Sequence, residues 1–354
     1  MRIPGEGGVT RRARGRTPRL RRLFVPAVVV LLVGCSSGAK PDGAVPSTPP
    51  TAPRTESTTT ATPSDPSTPP NAPAQTTPPN APAQPAPAAS APRPAPPPSA
   101  LSDLELAALQ SMPVGDLPGW KQVFAEDFTQ GDVPLGAFPG PAYQARWSAG
   151  YKDGTPDTAG QASGGKSGYY PTKVLSVANG VLDWFVHSEN GVFMGAAPTP
   201  RIPNASTSPP RANSLLYGRV SVRFKADSLA GYKTAWLFWP DSGVWPRDGE
   251  IDFPEGDLGD AIYGAAHWAN PDPTASDLFM STSKFTSWHV ATTEWSPGRV
   301  EFLLDGRTLG VSTTHVPATP MHFILQTEAC LPKCPAPQTQ GHVQLDWIAV
   351  WSRL

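Results

Sequence analysis

The chain has 354 residues, of which 46 are proline and 32 glycine, and 16% are charged. Residues 36–100 hold 20 of the prolines and no aromatic residue, while all 11 tryptophans fall between Trp120 and Trp351; only the last ~250 residues can therefore bury a sizeable core. Residues 101–354 carry 17 basic and 25 acidic side chains, a formal charge of −8, which argues against a phosphate-tracking surface and a nucleic-acid partner.

At the N-terminus, Arg11, Arg12, Arg14, Arg16, Arg19, Arg21 and Arg22 precede an apolar run from Phe24 to Val33. That run is too short to span a bilayer as a stable helix, so residues 1–34 read as an export signal. Its end, Leu32-Val33-Gly34-Cys35, resembles the lipobox of bacterial lipoproteins, in which the cysteine is lipidated and becomes the new N-terminus. An ordinary signal peptide with a chance cysteine, and hence a secreted protein, is the competing reading. Lipidation of Cys35 would anchor the chain to the outer face of a bacterial membrane without passing it through. Residues 35–100 follow, with Pro-Pro-Asn-Ala-Pro-Ala-Gln at 69–75 and again at 78–84. This composition cannot bury enough apolar surface to offset chain entropy, and a disordered spacer with a reach on the order of 200 Å is expected.

From residue 101 to 354 a single domain is expected. Leu101 to Met112 has near-helical spacing of Leu101, Leu104, Leu106 and Leu109. Beyond it the period is that of strands. Val220, Val222 and Phe224 alternate with polar residues; so do Val300, Phe302 and Leu304 before the turn Asp305-Gly306, and Val343, Leu345 and Trp347 near the C-terminus. Many short strands between Gly, Pro and Asp-Gly turns predict an all-β jelly-roll sandwich of two antiparallel sheets. Cys330 and Cys334, four apart in an exported chain, most simply close a disulfide loop. A metal site is the alternative, but no HExxH or second paired-cysteine motif accompanies them.

The most informative stretch is Trp245-Pro-Arg-Asp-Gly-Glu-Ile-Asp-Phe-Pro-Glu-Gly-Asp. In a strand, Glu250 and Asp252 point to the same side, while Glu255 is one residue out of phase. A β-bulge at Phe253-Pro254 restores the phase, and proline inside a strand is tolerated chiefly at bulges and edges. Three carboxyls on one face repel and force at least one to keep its proton. Retaining glycoside hydrolysis needs such a set: an ionised nucleophile and a protonated acid roughly 5–5.5 Å apart.

Gly249-Glu-Ile-Asp-Phe-Pro-Glu255 resembles the bulged E-x-D-x-x-E signature of glycoside hydrolase family 16, a concanavalin-like jelly-roll family of retaining endo-acting enzymes on β-linked glucans and galactans. The likeness extends to Gly119-Trp-Lys-Gln-Val-Phe-Ala-Glu-Asp-Phe, Tyr217-Gly-Arg-Val-Ser-Val-Arg, Ser287–Gly306 and Val343-Gln-Leu-Asp-Trp-Ile-Ala-Val. It implies Glu250 as nucleophile, Asp252 as the assisting carboxylate and Glu255 as acid/base. The bulged form goes with laminarinase-like enzymes and with agar and carrageenan hydrolases, so a β-1,3-glucan leads among polysaccharide substrates. No cofactor is required. In some members the residue resembling Asp346 binds a structural calcium; a plain surface aspartate is the alternative. The chain departs from the family pattern at Gln326-Thr-Glu-Ala-Cys330 and through the long segment 138–214.

Sugar clefts are often floored by flat aromatic rings. Trp236, Trp245 and Trp268, with His267 beside the last, are the candidate substrate contacts, each weighed against a place in the core. Gly160-Gln-Ala-Ser-Gly-Gly-Lys-Ser167 satisfies the letter of the phosphate-binding loop, but no buried strand precedes it and Gly168-Tyr-Tyr-Pro171 cannot start a regular helix after it, so a flexible loop is expected. A monomer is expected. The rivals to a hydrolase are a non-catalytic carbohydrate-binding module and a transglycosylase on the same fold.

Overall fold

The structure, a computed structural model, describes residues 110–162, 164–202, 213–268 and 276–354. The proposed leader, Cys35, the spacer and nearly all of the Leu101–Met112 helix lie outside them.

Two antiparallel sheets face each other, as the strand periodicity requires. The larger has eleven strands. Its middle is the 13-residue strand Gly341–Arg353, which pairs along one edge with Gly218–Ala226 and along the other with Trp120–Glu126 and Val181–Glu189 in turn. The second sheet has six strands, in the spatial order Ser276–Lys284, Ala261–His267, Glu250–Asp257, Tyr232–Pro240, Met321–Ala329 and Ser214–Leu215. The one parallel pairing among the described strands joins Ser167–Tyr169 to Val192–Gly195. The expected alternations hold at Val220, Val222, Phe224, Val300, Phe302, Leu304, Val343 and Leu345, which are buried in the core; a register shift opposite Arg223 and Phe224 takes Trp347 out of phase, and its indole N–H donates to Gln110 O at 3.2 Å. At Asp305-Gly306 both residues have positive φ (52° and 72°). This matches the backbone hand that a two-residue hairpin needs to follow strand twist.

Tryptophan and phenylalanine fill the space between the sheets. Trp184 and Trp236 stack at 5.5 Å, Phe224 meets Trp236 edge-on at 5.7 Å, and Phe238 lies 5.6 Å from Trp295. Trp236 is fully buried, and its indole N–H donates to Thr327 Oγ1 at 3.5 Å. This corrects its place among the substrate contacts. In Tyr232–Pro240, Trp236 and Phe238 point to the core and Ala235 and Leu237 to the opposite face, so Trp236 cannot reach a cleft on that outer face.

Cys330 and Cys334 are joined as a disulfide. Gly160 and Ser167, the two ends of the phosphate-loop-like stretch, are tied down more firmly than expected. Asp157 accepts hydrogen bonds from Gly160 N (2.8 Å), Ser167 Oγ (2.6 Å) and Ala329 N (3.2 Å), and Ser167 opens a strand, not a helix.

Because Trp236 plugs the gap between the sheets, Trp236→Ala should lower unfolding free energy by roughly 3–5 kcal/mol, read from urea denaturation. A loss under about 1 kcal/mol would show that the ring is not a core element.

Candidate active site

The acids stand on Glu250–Asp257, the third strand of the six-stranded sheet. On one side Asp252 is in register with Leu237 and Glu255 with Ala235; on the other, Glu250 pairs His267, Asp252 pairs Ala265 and Glu255 pairs Tyr263. Asp252 to Glu255 is three steps where each neighbour takes two. The extra residue at Phe253-Pro254 is thus a bulge seen by both ladders. It sends Ile251 and Phe253 into the core and leaves Glu250, Asp252 and Glu255 together on the outer face.

The strand begins at a close approach. Gly249 has φ +79°, and a Cβ there would sit 2.5 Å from Pro317 Cγ, so only glycine passes this point without strain or displacement.

Asp252 and Glu255 are buried, at 2% and 7% exposure, although they lie on the sheet's outer face. A small apolar cluster of Tyr169, Ala197, Ala235, Leu237 and Ile324 roofs part of that face, with Trp239 packed against it. In this setting the carboxyls hold protons strongly. Burial, then repulsion from Glu255, raises Glu250 to about 8. Asp252 is raised well above the usual range by burial, then by Glu250 and Glu255, and it shares a hydrogen bond with Glu250. Glu255 has a cation instead: Lys233 Nζ donates to its Oε1 at 2.7 Å. Burial works against the Lys233 charge, but the attraction of Glu255 foremost reverses this and raises the lysine. Tyr263 is raised by burial and by Glu255, with which it is hydrogen-bonded.

His267 and Trp245 border the acids. His267 Nε2 lies 3.4 Å from Asp252 Oδ2, and burial lowers its pKa against the opposing pull of Glu255. The Trp245 ring lies 6.3 Å from that of His267, and its indole N–H lowers Glu250 while falling short of hydrogen-bond geometry. Trp268 stands further along and stacks on His315 with ring centres 4.3 Å apart and planes 6° from parallel. Both line a cavity of about 350 Å³ with Arg247, Asp248 and Thr319, next to the start of the acid strand. Glu250, Asp252 and His267 place donor atoms within 4.8 Å of one another, a spacing that the shared face alone produces. Asp346 is elsewhere, on the eleven-stranded sheet, ion-paired to Arg223 at 2.6 Å.

Sequence reasoning missed Lys233, Tyr263 and His315. Lys233 had a signal: it is the one charged residue in Tyr-Lys-Thr-Ala-Trp-Leu-Phe-Trp-Pro, on the face opposite the core. Tyr263 and His315 carry no local mark.

Eight buried side-chain polar atoms lack a hydrogen-bond partner among the described residues; four of them, Asp252 Oδ2, Glu255 Oε2, Trp245 Nε1 and Trp268 Nε1, are in or beside this site. Native proteins leave few such atoms, so their concentration here marks a face built to bond to something other than itself.

Residues 201–349 match the sequence model described as glycosyl hydrolases family 16. Solved structures share the fold. The laminarinase catalytic domain from Thermotoga maritima MSB8 is 21% identical, with a TM-score of 0.51, over 66% of this chain and 99% of its own. The endo-1,3-β-glucanase (laminarinase) catalytic domain from Thermotoga petrophila RKU-1 is 22% identical, with a TM-score of 0.51, over 68% and 99%. The endo-β-1,3-glucanase from Pyrococcus furiosus is 17% identical, with a TM-score of 0.50, over 68% and 98%. No curated protein matches in sequence. The described domain has the jelly-roll fold of family 16 glycoside hydrolases, and its family-matched region contains the acid strand.

The raised Glu250 gives a stability test. Its ordinary pKa is 4.5 and its folded value about 8, so its contribution is fully present below pH 4.5 and is lost as pH rises toward 8. Glu250→Gln should therefore gain on the wild type over that range, by about 1 kcal/mol or more at pH 8, in thermal melts taken across pH. A difference that stays flat with pH would show that Glu250 titrates normally.

Proposed function

We propose that the domain is a retaining endo-glycosidase that hydrolyses a β-linked polysaccharide, with a β-1,3-glucan as the leading substrate, through a covalent glycosyl-enzyme intermediate. The observation that carries this is the bulge at Phe253-Pro254, which places Glu250, Asp252 and Glu255 on one face of one strand. The fold's resemblance to laminarinases and endo-β-1,3-glucanases favours the glucan.

In this reading a Glu250 oxygen attacks the anomeric carbon while Glu255 protonates the departing glycosidic oxygen. Glu255 then removes a proton from the water that opens the glycosyl ester. Asp252, raised well above the usual carboxylate range by burial and then by Glu250 and Glu255, donates to Glu250 and holds its attacking oxygen in place. Trp245 and Trp268 offer flat apolar rings and unpaired indole N–H groups to a pyranose and its hydroxyls. His267 contributes a ring beside Asp252 and Trp245. The raised Glu250 and Asp252 hold protons strongly, whereas the first step needs one on Glu255, beside Lys233. The chain is further read as exported and lipid-anchored through Cys35, with residues 35–100 as the spacer that lets the domain reach polymer away from the membrane.

The test is hydrolysis of laminarin, mixed-linkage glucan and agarose by reducing-sugar release, with product anomers followed by NMR. Laminarin should be cut with retention. Glu250→Gln should lose at least about 10³-fold in kcat/KM, and Glu255→Gln about 10²–10⁴-fold. Undiminished hydrolysis by Glu250→Gln removes it from the mechanism. Binding of the polymers without release of reducing ends would make the domain a binding module.

A further inference from the structure

The edge strand Ser276–Lys284 carries its apolar side chains the wrong way round for a sandwich. Phe279 turns inward and meets Phe302 at 5.7 Å, but its companions on that side are polar: Ser281 Oγ donates to Ile262 O and Asp277 accepts from Ser312 Oγ, both at 2.6 Å. Leu278 and Met280 face out instead, at 56% and 61% exposure. An apolar edge left open invites pairing with other chains, and native edge strands avoid it unless the surface has a use.

Both side chains prolong the face that bears the acids. Met280 is in register with Tyr263, itself in register with Glu255; Leu278 is in register with Ala265, itself in register with Asp252. Residues so paired project to the same side of a sheet. With neighbouring strands about 4.8 Å apart, Leu278 stands roughly 10 Å from the acid strand. The opposite direction is covered. Leu237 and Ile324, the next two residues in the row of Asp252, are 1% and 5% exposed and pack with Tyr169 and Ala197.

Two carboxyls that act on a glycosidic bond flank it, and here Glu250 and Glu255 are separated along a single strand. A polysaccharide passing between them therefore runs across the strands. At the level of Asp252 one of the two ways out has an open floor, and it leads over Ala265 to Leu278.

We propose that Leu278 and Met280 form a substrate-binding platform that carries the sugars beyond the reacting ring, on the side of the acid strand away from Tyr169, and makes the domain prefer long chains to short ones. The inference rests on the glycosidase reading of Glu250 and Glu255. The C–H faces of pyranose rings pack on apolar side chains, and methionine adapts its shape to an irregular surface. A second copy of this chain docking on the edge would have no need of side chains in register with the acids.

The test is the double variant Leu278→Ser/Met280→Ser, which trims two exposed side chains and should melt close to the wild type. Its kcat/KM should fall about 10-fold or more on laminarin and long laminari-oligosaccharides, through KM, and less than about 2-fold on the shortest oligosaccharide that the wild type cuts. Met280→Ser alone provides the same comparison if the double variant does not fold. A uniform loss at every length, or no loss, overturns the proposal, as does a wild type that is dimeric by light scattering and becomes monomeric in the double variant. A wild-type chain that turns over no glucan overturns the glycosidase reading instead; the platform is then read from retention on a laminarin affinity gel, which the double variant should lose.

Discussion

Between Asp252 and Glu255 the acid strand carries one residue more than either neighbour, and the chemistry on the outer face depends on that surplus. Without it Glu255 would point into the core among Ile251 and Phe253, where an ionised carboxyl has no solvation. With it three carboxyls crowd one side of one strand. The sheet then has to manage their repulsion, and it does so in two ways: Glu250 and Asp252 are kept in low-dielectric surroundings that favour their protonated forms, and Glu255 is given Lys233.

The rest of the domain supports this placement. The eleven-stranded sheet supplies a broad apolar backing whose tryptophans and phenylalanines fix the six-stranded sheet from behind. Rigid backing matters because the acids work by relative position, and a strand free to slip would lose the bulge register. On the front, Gly249 brings the chain past Pro317 immediately before Glu250, so the entry to the acid strand is held by contact as well as by the ladder.

The irregular segment around residues 150–170 has a clear structural task. Asp157 gathers its turns by accepting from Gly160, Ser167 and Ala329, and Thr158 and Tyr169 reach Glu328. Tyr169 and Ala197 thus close a roof over part of the sheet's outer face. Under it Glu328 is 1% exposed.

The sandwich, the strand alternation and the bulge are written in local signals, a period of two and a proline where a strand must change phase, and the cysteine spacing favoured a disulfide over a metal site. The sequence also placed Glu250, Asp252 and Glu255 on one face, since strand geometry links residues this close in the chain. What those acids meet is set by packing between strands far apart in the chain. Lys233 and Tyr263 arrive from neighbouring strands, Glu328 faces Lys233 from a third, and Trp236, plausible as a sugar platform from its place in the chain, turns to the core. These outcomes depend on which strands become neighbours and which face the second sheet covers, and both are set by packing across distances that no local pattern records.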